Sequence, residues 1–150
     1  FTQAVYPRMS KVFVRNQQRA TAIMYRIQDN ITLGFVVSLP IAFVIAPWII
    51  SLACGVAYPE VVLALRLLLV GVFFVGANNF KVQFLLVCGK PDIYARIHVS
   101  AAIIGLPLIF LLIERYSYLG AAFSTVLIEG GVFIVTSLII NKLAKRIIKN

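Results

Sequence analysis

Four long apolar runs divide the chain. Asn30 to Pro59 carries no charged residue, and Ile31–Gly55 is its apolar heart. Val61–Val87 is interrupted only by Arg66 and Lys81, Ile97–Ile113 carries only His98 at its edge, and Tyr118–Ile140 is broken by Glu129 alone. A helix needs roughly 20 apolar residues to cross the hydrocarbon of a bilayer. The runs therefore predict an all-α membrane protein with four transmembrane helices, about 31–55, 61–87, 97–113 and 118–140. A membrane barrel would show alternating segments of about ten residues instead. The connectors Val56–Glu60, Cys88–Arg96 and Glu114–Ser117 are short and hold turn-forming or polar residues, among them Pro59 and Gly89-Lys90-Pro91-Asp92. Short connectors make successive helices antiparallel neighbours.

Composition agrees with this pattern. Of 150 residues, 61% are hydrophobic and 13% charged, against roughly 45–50% and 25% in soluble domains. A compact soluble enzyme of this size has no way to bury so much apolar surface. The net charge of +9 does not point to nucleic acid, because the charges sit in clusters between uncharged runs. Arg8, Lys11, Arg15, Arg19 and Arg26 precede the first span, Lys90 and Arg96 lie in the second connector, and Lys142, Lys145, Arg146 and Lys149 follow the last span. Only Arg115 falls on the other side. By the positive-inside rule both ends face the cytoplasm. Tyr58, Tyr94, Tyr116 and Tyr118 sit near span ends, where amphipathic rings are favoured. Residues 1–30 read as the end of a preceding span followed by a basic, partly amphipathic cytoplasmic connector, and 141–150 as a basic cytoplasmic tail. The chain opens on Phe1 rather than Met, so it is expected to be a piece of a longer protein.

No pattern points to catalysis or a cofactor. Gly89-Lys90 has Phe84 where a phosphate-binding loop needs its first glycine, and Pro91 where it needs Ser or Thr. Cys54 and Cys88 fall at opposite membrane faces and cannot pair within one chain, and with one distant histidine they make no metal set. Asn30-Ile31-Thr32 matches a glycosylation acceptor but lies at the cytoplasmic boundary. His98 has no nucleophile or carboxylate at a telling spacing.

The chemistry lies with polar groups inside the spans. An ionisable side chain at mid-membrane costs on the order of 2.5–3.5 kcal/mol and generally faces a cavity or a partner. Glu129 stands at the midpoint of its run, in a stripe with Ala122, Thr125 and Thr136. Gly120 with Ser124, and Gly130-Gly131, permit close approach of another helix. Desolvation favours a neutral carboxyl, so Glu129 suits either a proton carrier or a hydrogen-bonding group that holds helices together. Arg66 and Lys81, fifteen residues apart, differ by about 60° around a helix and share a stripe with Val70, Phe73 and Ala77. They read either as cavity cations for an anionic headgroup or as snorkelling side chains. Pro40, Pro47 and Pro107 are candidate kinks or hinges.

Four features in order carry a family resemblance: Gln3-Ala4-Val5-Tyr6-Pro7-Arg8-Met9-Ser10, the Gly89-Lys90 turn, Leu119-Gly120-Ala121-Ala122 opening the last span, and Glu129 within it. With four short-looped spans, they resemble the C-terminal third of the Wzx-type O-antigen and polysaccharide flippases of the multidrug/oligosaccharidyl-lipid/polysaccharide superfamily. The resemblance implies a twelve-helix, two-lobe transporter of the bacterial inner membrane, of which this chain forms part of the C-terminal lobe. The partners it implies are undecaprenyl-pyrophosphate-linked oligosaccharide, membrane lipids, the N-terminal lobe of the same protein, and polysaccharide polymerase and chain-length machinery, with no nucleic acid. Transport would be ion-coupled alternating access, with Arg66 and Lys81 in a cationic cavity. The alternatives are a drug/cation exporter of the same superfamily and a structural four-span membrane subunit.

Overall fold

The computed structural model describes residues 17–149 except Ala57. The Gln3–Ser10 motif and three charged residues of the expected N-terminal segment 1–30, Arg8, Lys11 and Arg15, lie outside these residues. The described residues form three helices and no strand: α1 Gln17–Cys54, α2 Pro59–Val87 and α3 Pro91–Lys149. All three are long and apolar enough to cross a membrane.

α1 runs without interruption through Asn30, where the uncharged run begins. Hydropathy marks where a helix meets lipid rather than where it starts. It also passes through Pro40 and Pro47, each of which lacks an N–H and so leaves the carbonyl four residues back, Val36 and Phe43, without its helical donor. Gly55, at φ 78°, follows its end, and Pro59 opens α2 at a position where a missing N–H costs nothing.

α2 ends at Val87, as the apolar run predicts. Gly89 takes the left-handed conformation at φ 66°, its N–H donates to the Leu86 carbonyl at 3.0 Å, and the Lys90 N–H donates to the Leu85 carbonyl at 3.0 Å. This is the Schellman arrangement that closes helices with glycine. The Gly89-Lys90 pair is thus a helix stop. Pro91 then starts α3 at once, six residues before the expected 97. The expected nine-residue connector shrinks to residues 88–90, because Asp92 and Arg96 are charged yet helical.

Within α3 only Ser117, at φ 53° and ψ −136°, leaves helical geometry. The expected loop Glu114–Ser117 is therefore a one-residue reversal. The space a Cβ would fill at Gly120 is occupied by the Leu112 carbonyl, and Gly105 faces the Ile128 side chain. Both pairings centre near Ser117, so α3 folds back into two antiparallel arms, 91–116 and 118–149.

α1 and α2 are antiparallel. Phe43 meets Arg66, the Phe35 ring covers Gly76 and stands edge-on to Phe73, and Gln28 reaches Ala77. α2 and the second arm of α3 run parallel, from Glu60–Tyr118 through Phe74–Phe133 to Lys81–Ser137. The buried core of Met24, Phe84, Leu85, Ile97, Val132 and Ile140 gathers at the end where Lys90 and Arg96 lie. Elsewhere large apolar side chains point outward, Leu52 at 90% exposure and Trp48 at 77%. In water such a surface would be a liability, whereas in lipid it is the solvated face.

Candidate functional site: a polar cleft between apolar helices

Tyr25, Gln28, Asp29 and Thr32 of α1, Lys81 of α2, and Ser137 and Asn141 of the second arm line a cleft of about 230 Å³, with Met24 and Ile140 as its apolar members. Positions 25, 28, 29 and 32 recur at the spacing of one helical face, which explains how α1 brings four polar groups to one place. Lys81 enters from the middle of three packed elements. Its Nζ donates to Ser137 Oγ at 2.7 Å and lies 3.5 Å from the Phe133 ring centroid. Ser137 Oγ donates in turn to the Phe133 carbonyl at 2.6 Å. An ammonium has three donor hydrogens, and these two contacts leave one of them available to a ligand.

One residue of the cleft also holds an unused acceptor. Gln28 Nε2 donates to the Ala77 carbonyl and to Thr32 Oγ1, and Tyr25 donates to Asn141 Oδ1 at 3.2 Å. Gln28 Oε1 is buried without a partner. Close by in sequence, Asn78 Oδ1, one turn before Lys81, and Thr136 Oγ1, next to Ser137, are buried and unpaired as well. Gln28, Asn78 and Thr136 are 6%, 5% and 0% exposed. A buried polar atom without a partner costs about 1–3 kcal/mol, and of these three only Gln28 belongs to a residue that lines the cleft.

The other residues singled out in the sequence lie apart from this cleft. Arg66 donates from Nε to the Phe43 carbonyl at 3.3 Å and lies 5.9 Å above the Phe43 ring. That carbonyl is the one Pro47 leaves without a helical donor, so Arg66 caps a proline-induced gap in α1. It stands about 22 Å from Lys81 along α2, too far to share one cleft. Glu129 lies on the inward face of the second arm, half-buried, with Ala122 and Thr136 fully buried on the same stripe. Thr125 Oγ1 on that stripe is satisfied by the Ala121 carbonyl at 3.0 Å. Pro107, like Pro40, is exposed inside a continuous helical stretch.

Sequence reasoning found Lys81 but not Tyr25, Gln28, Asp29, Thr32, Ser137 or Asn141. The available signals were the polar face at positions 25, 28, 29 and 32 and the Ser137/Asn141 spacing of four. Among the described residues no group of three or more His, Cys, Asp or Glu could hold a metal ion. What the cleft offers is one cation, Lys81, one carboxylate, Asp29, and neutral hydrogen-bonding groups between them, a lining that suits a polar ligand with an anionic group for Lys81 and hydroxyl or amide donors for the rest. No family model, curated protein or solved structure matches the chain.

Proposed function

We propose that this chain is the C-terminal part of an inner-membrane flippase for undecaprenyl-pyrophosphate-linked oligosaccharide. In this reading α1, α2 and the two arms of α3 make four passes, with both ends of the segment cytoplasmic. The observation that carries the proposal is the cleft, with Lys81 and Gln28 Oε1 set inside helices whose outer faces are apolar. A pyrophosphate supplies anionic oxygens for a charge-assisted bond with Lys81, and sugar hydroxyls supply hydrogen-bond partners for the polar side chains that line the cleft beside it. The drug or cation exporter reading would rest instead on Asp29, the carboxylate that lines the same cleft. The structural-subunit reading draws on different contacts, since Gln28–Ala77, Tyr25–Asn141 and Lys81–Ser137 also tie the helices together.

Two substitutions in the full-length protein separate the readings. Lys81→Met is expected to lower surface polysaccharide at least tenfold at unchanged protein level, and Lys81→Arg to keep most of it. Normal surface polysaccharide in Lys81→Met would leave only helix-tying. Ion coupling needs a titratable group in the membrane, and Glu129 is the inward carboxyl of the second arm. Glu129→Gln is therefore expected to slow transport about tenfold without altering the fold, whereas full transport would reduce Glu129 to a packing group.

A further inference from the structure

A second cavity, of about 380 Å³, lies between the two arms of α3. Ala101, Ile104 and Leu108 line it from one arm and Ile128, Gly131 and Val135 from the other, while Arg96 closes one end as its sole charged residue. Among its lining residues Gly131 leaves space unfilled. At Gly131 an added Cβ would meet nothing within 4 Å, so that glycine opens directly onto the space. At about 30 Å³ per water-sized group the groove takes on the order of a dozen such groups, the scale of one acyl chain.

Length and charge identify the occupant. From Arg96 to Leu108 is about 18 Å of helix, slightly more than half of a hydrocarbon core about 30 Å thick, which is the depth of one leaflet. The end marked by Arg96 is also where Lys90, Lys142 and Lys145 are exposed, and such a basic rim draws anionic headgroups. We propose that this groove holds one acyl chain of an anionic phospholipid, with Arg96 pairing its headgroup phosphate. Assigning that lipid to the cytoplasmic leaflet rests on the topology given under Proposed function, whereas the site itself does not.

Native mass spectrometry of the full-length protein in mild detergent, with phosphatidylglycerol or phosphatidylcholine of identical chains added, tests the site. Phosphatidylglycerol is expected to be retained at least fivefold over phosphatidylcholine, and Arg96→Gln to remove that preference. Gly131→Phe, which fills the groove, is expected to reduce bound lipid of both kinds about tenfold. Arg96 is exposed, so its variant keeps the test readable if Gly131→Phe fails to fold. Equal retention of the two lipids by the unmodified protein would overturn the proposal, as would an unchanged preference in Arg96→Gln. Undiminished lipid in a folded Gly131→Phe would overturn it too. None of these readouts depends on transport or orientation, so failure here and failure of the flippase reading are distinguishable.

Discussion

Gly120→Val is expected to remove the folded protein, reducing the monodisperse peak in detergent below about a tenth of its normal height. The reversal at Ser117 places the second arm of α3 against the first so closely that the Leu112 carbonyl occupies the site of a Gly120 side chain. Overpacking a core ordinarily costs 1–3 kcal/mol, occasionally more, and side-chain rearrangement absorbs part of it. Here the obstacle is backbone two turns away across a one-residue turn, so there is nothing to rearrange without opening the hairpin. Gly131→Ala is the matched control. Its Cβ enters open space and alanine is the better helix former, so its peak should equal the parent's. A normal peak for Gly120→Val would mean that the arms do not meet as described.

The second large effect is expected from a pair of residues on different helices. Arg66→Met leaves the Phe43 carbonyl with neither a helical donor nor the guanidinium. An unpaired buried acceptor costs about 1–3 kcal/mol, and in hydrocarbon no water replaces the lost donor. At roughly 2–4 °C per kcal/mol for a chain of this size, a fall in Tm of about 5 °C is expected. Pro47→Ala restores an N–H to the Phe43 carbonyl from within α1. In that background Arg66→Met should lower Tm by less than about 2 °C, a coupling that a double-mutant cycle measures directly. Equal losses in both backgrounds would show that Arg66 does not act through that carbonyl.

The helices long and apolar enough to cross a membrane were legible because lipid demands long uninterrupted apolar runs, and no fold-specific packing can waive that demand. Their edges were legible only where backbone chemistry marks them. Val87 was read correctly because Gly89 enforces a stop. Position 97 was six residues late because Asp92 and Arg96 are charged, and charge reports on the interface rather than on helicity. Ser117 lay in the expected turn, but the reversal takes one residue rather than four, since Gly120 lets the backbones touch.

The site was legible in one residue. Lys81 stood out as a charge in an apolar run, while its companions, Asp29 apart, are uncharged and come from α1 and the second arm of α3. Tyr25 and Gln28 fell in what reads as a basic connector. Their meeting with Lys81 and Ser137 depends on helix phase and register, which one sequence does not specify. Arg66 was equally visible as a charge, and Pro47 as a breaker. That one answers the other is a fact of the α1–α2 register alone.

The topology is tested most directly by cysteine accessibility. Cys54 ends α1 and Cys88 caps α2, and the antiparallel packing of those helices puts the two thiols at opposite ends of the bundle. In full-length protein retaining only these cysteines, an impermeant maleimide applied to spheroplasts is expected to label Cys54 and to spare Cys88. After permeabilisation Cys88 should react slowly at neutral pH. Burial pushes its thiol up to about 11, with nearby Lys90 opposing the shift, which leaves on the order of a hundredfold less of the reactive thiolate than an ordinary cysteine has. Its rate should therefore climb steadily as pH rises toward 11. Labelling of Cys88 in sealed spheroplasts, or protection of Cys54 there, would contradict a chain that crosses the membrane with its basic ends in the cytoplasm.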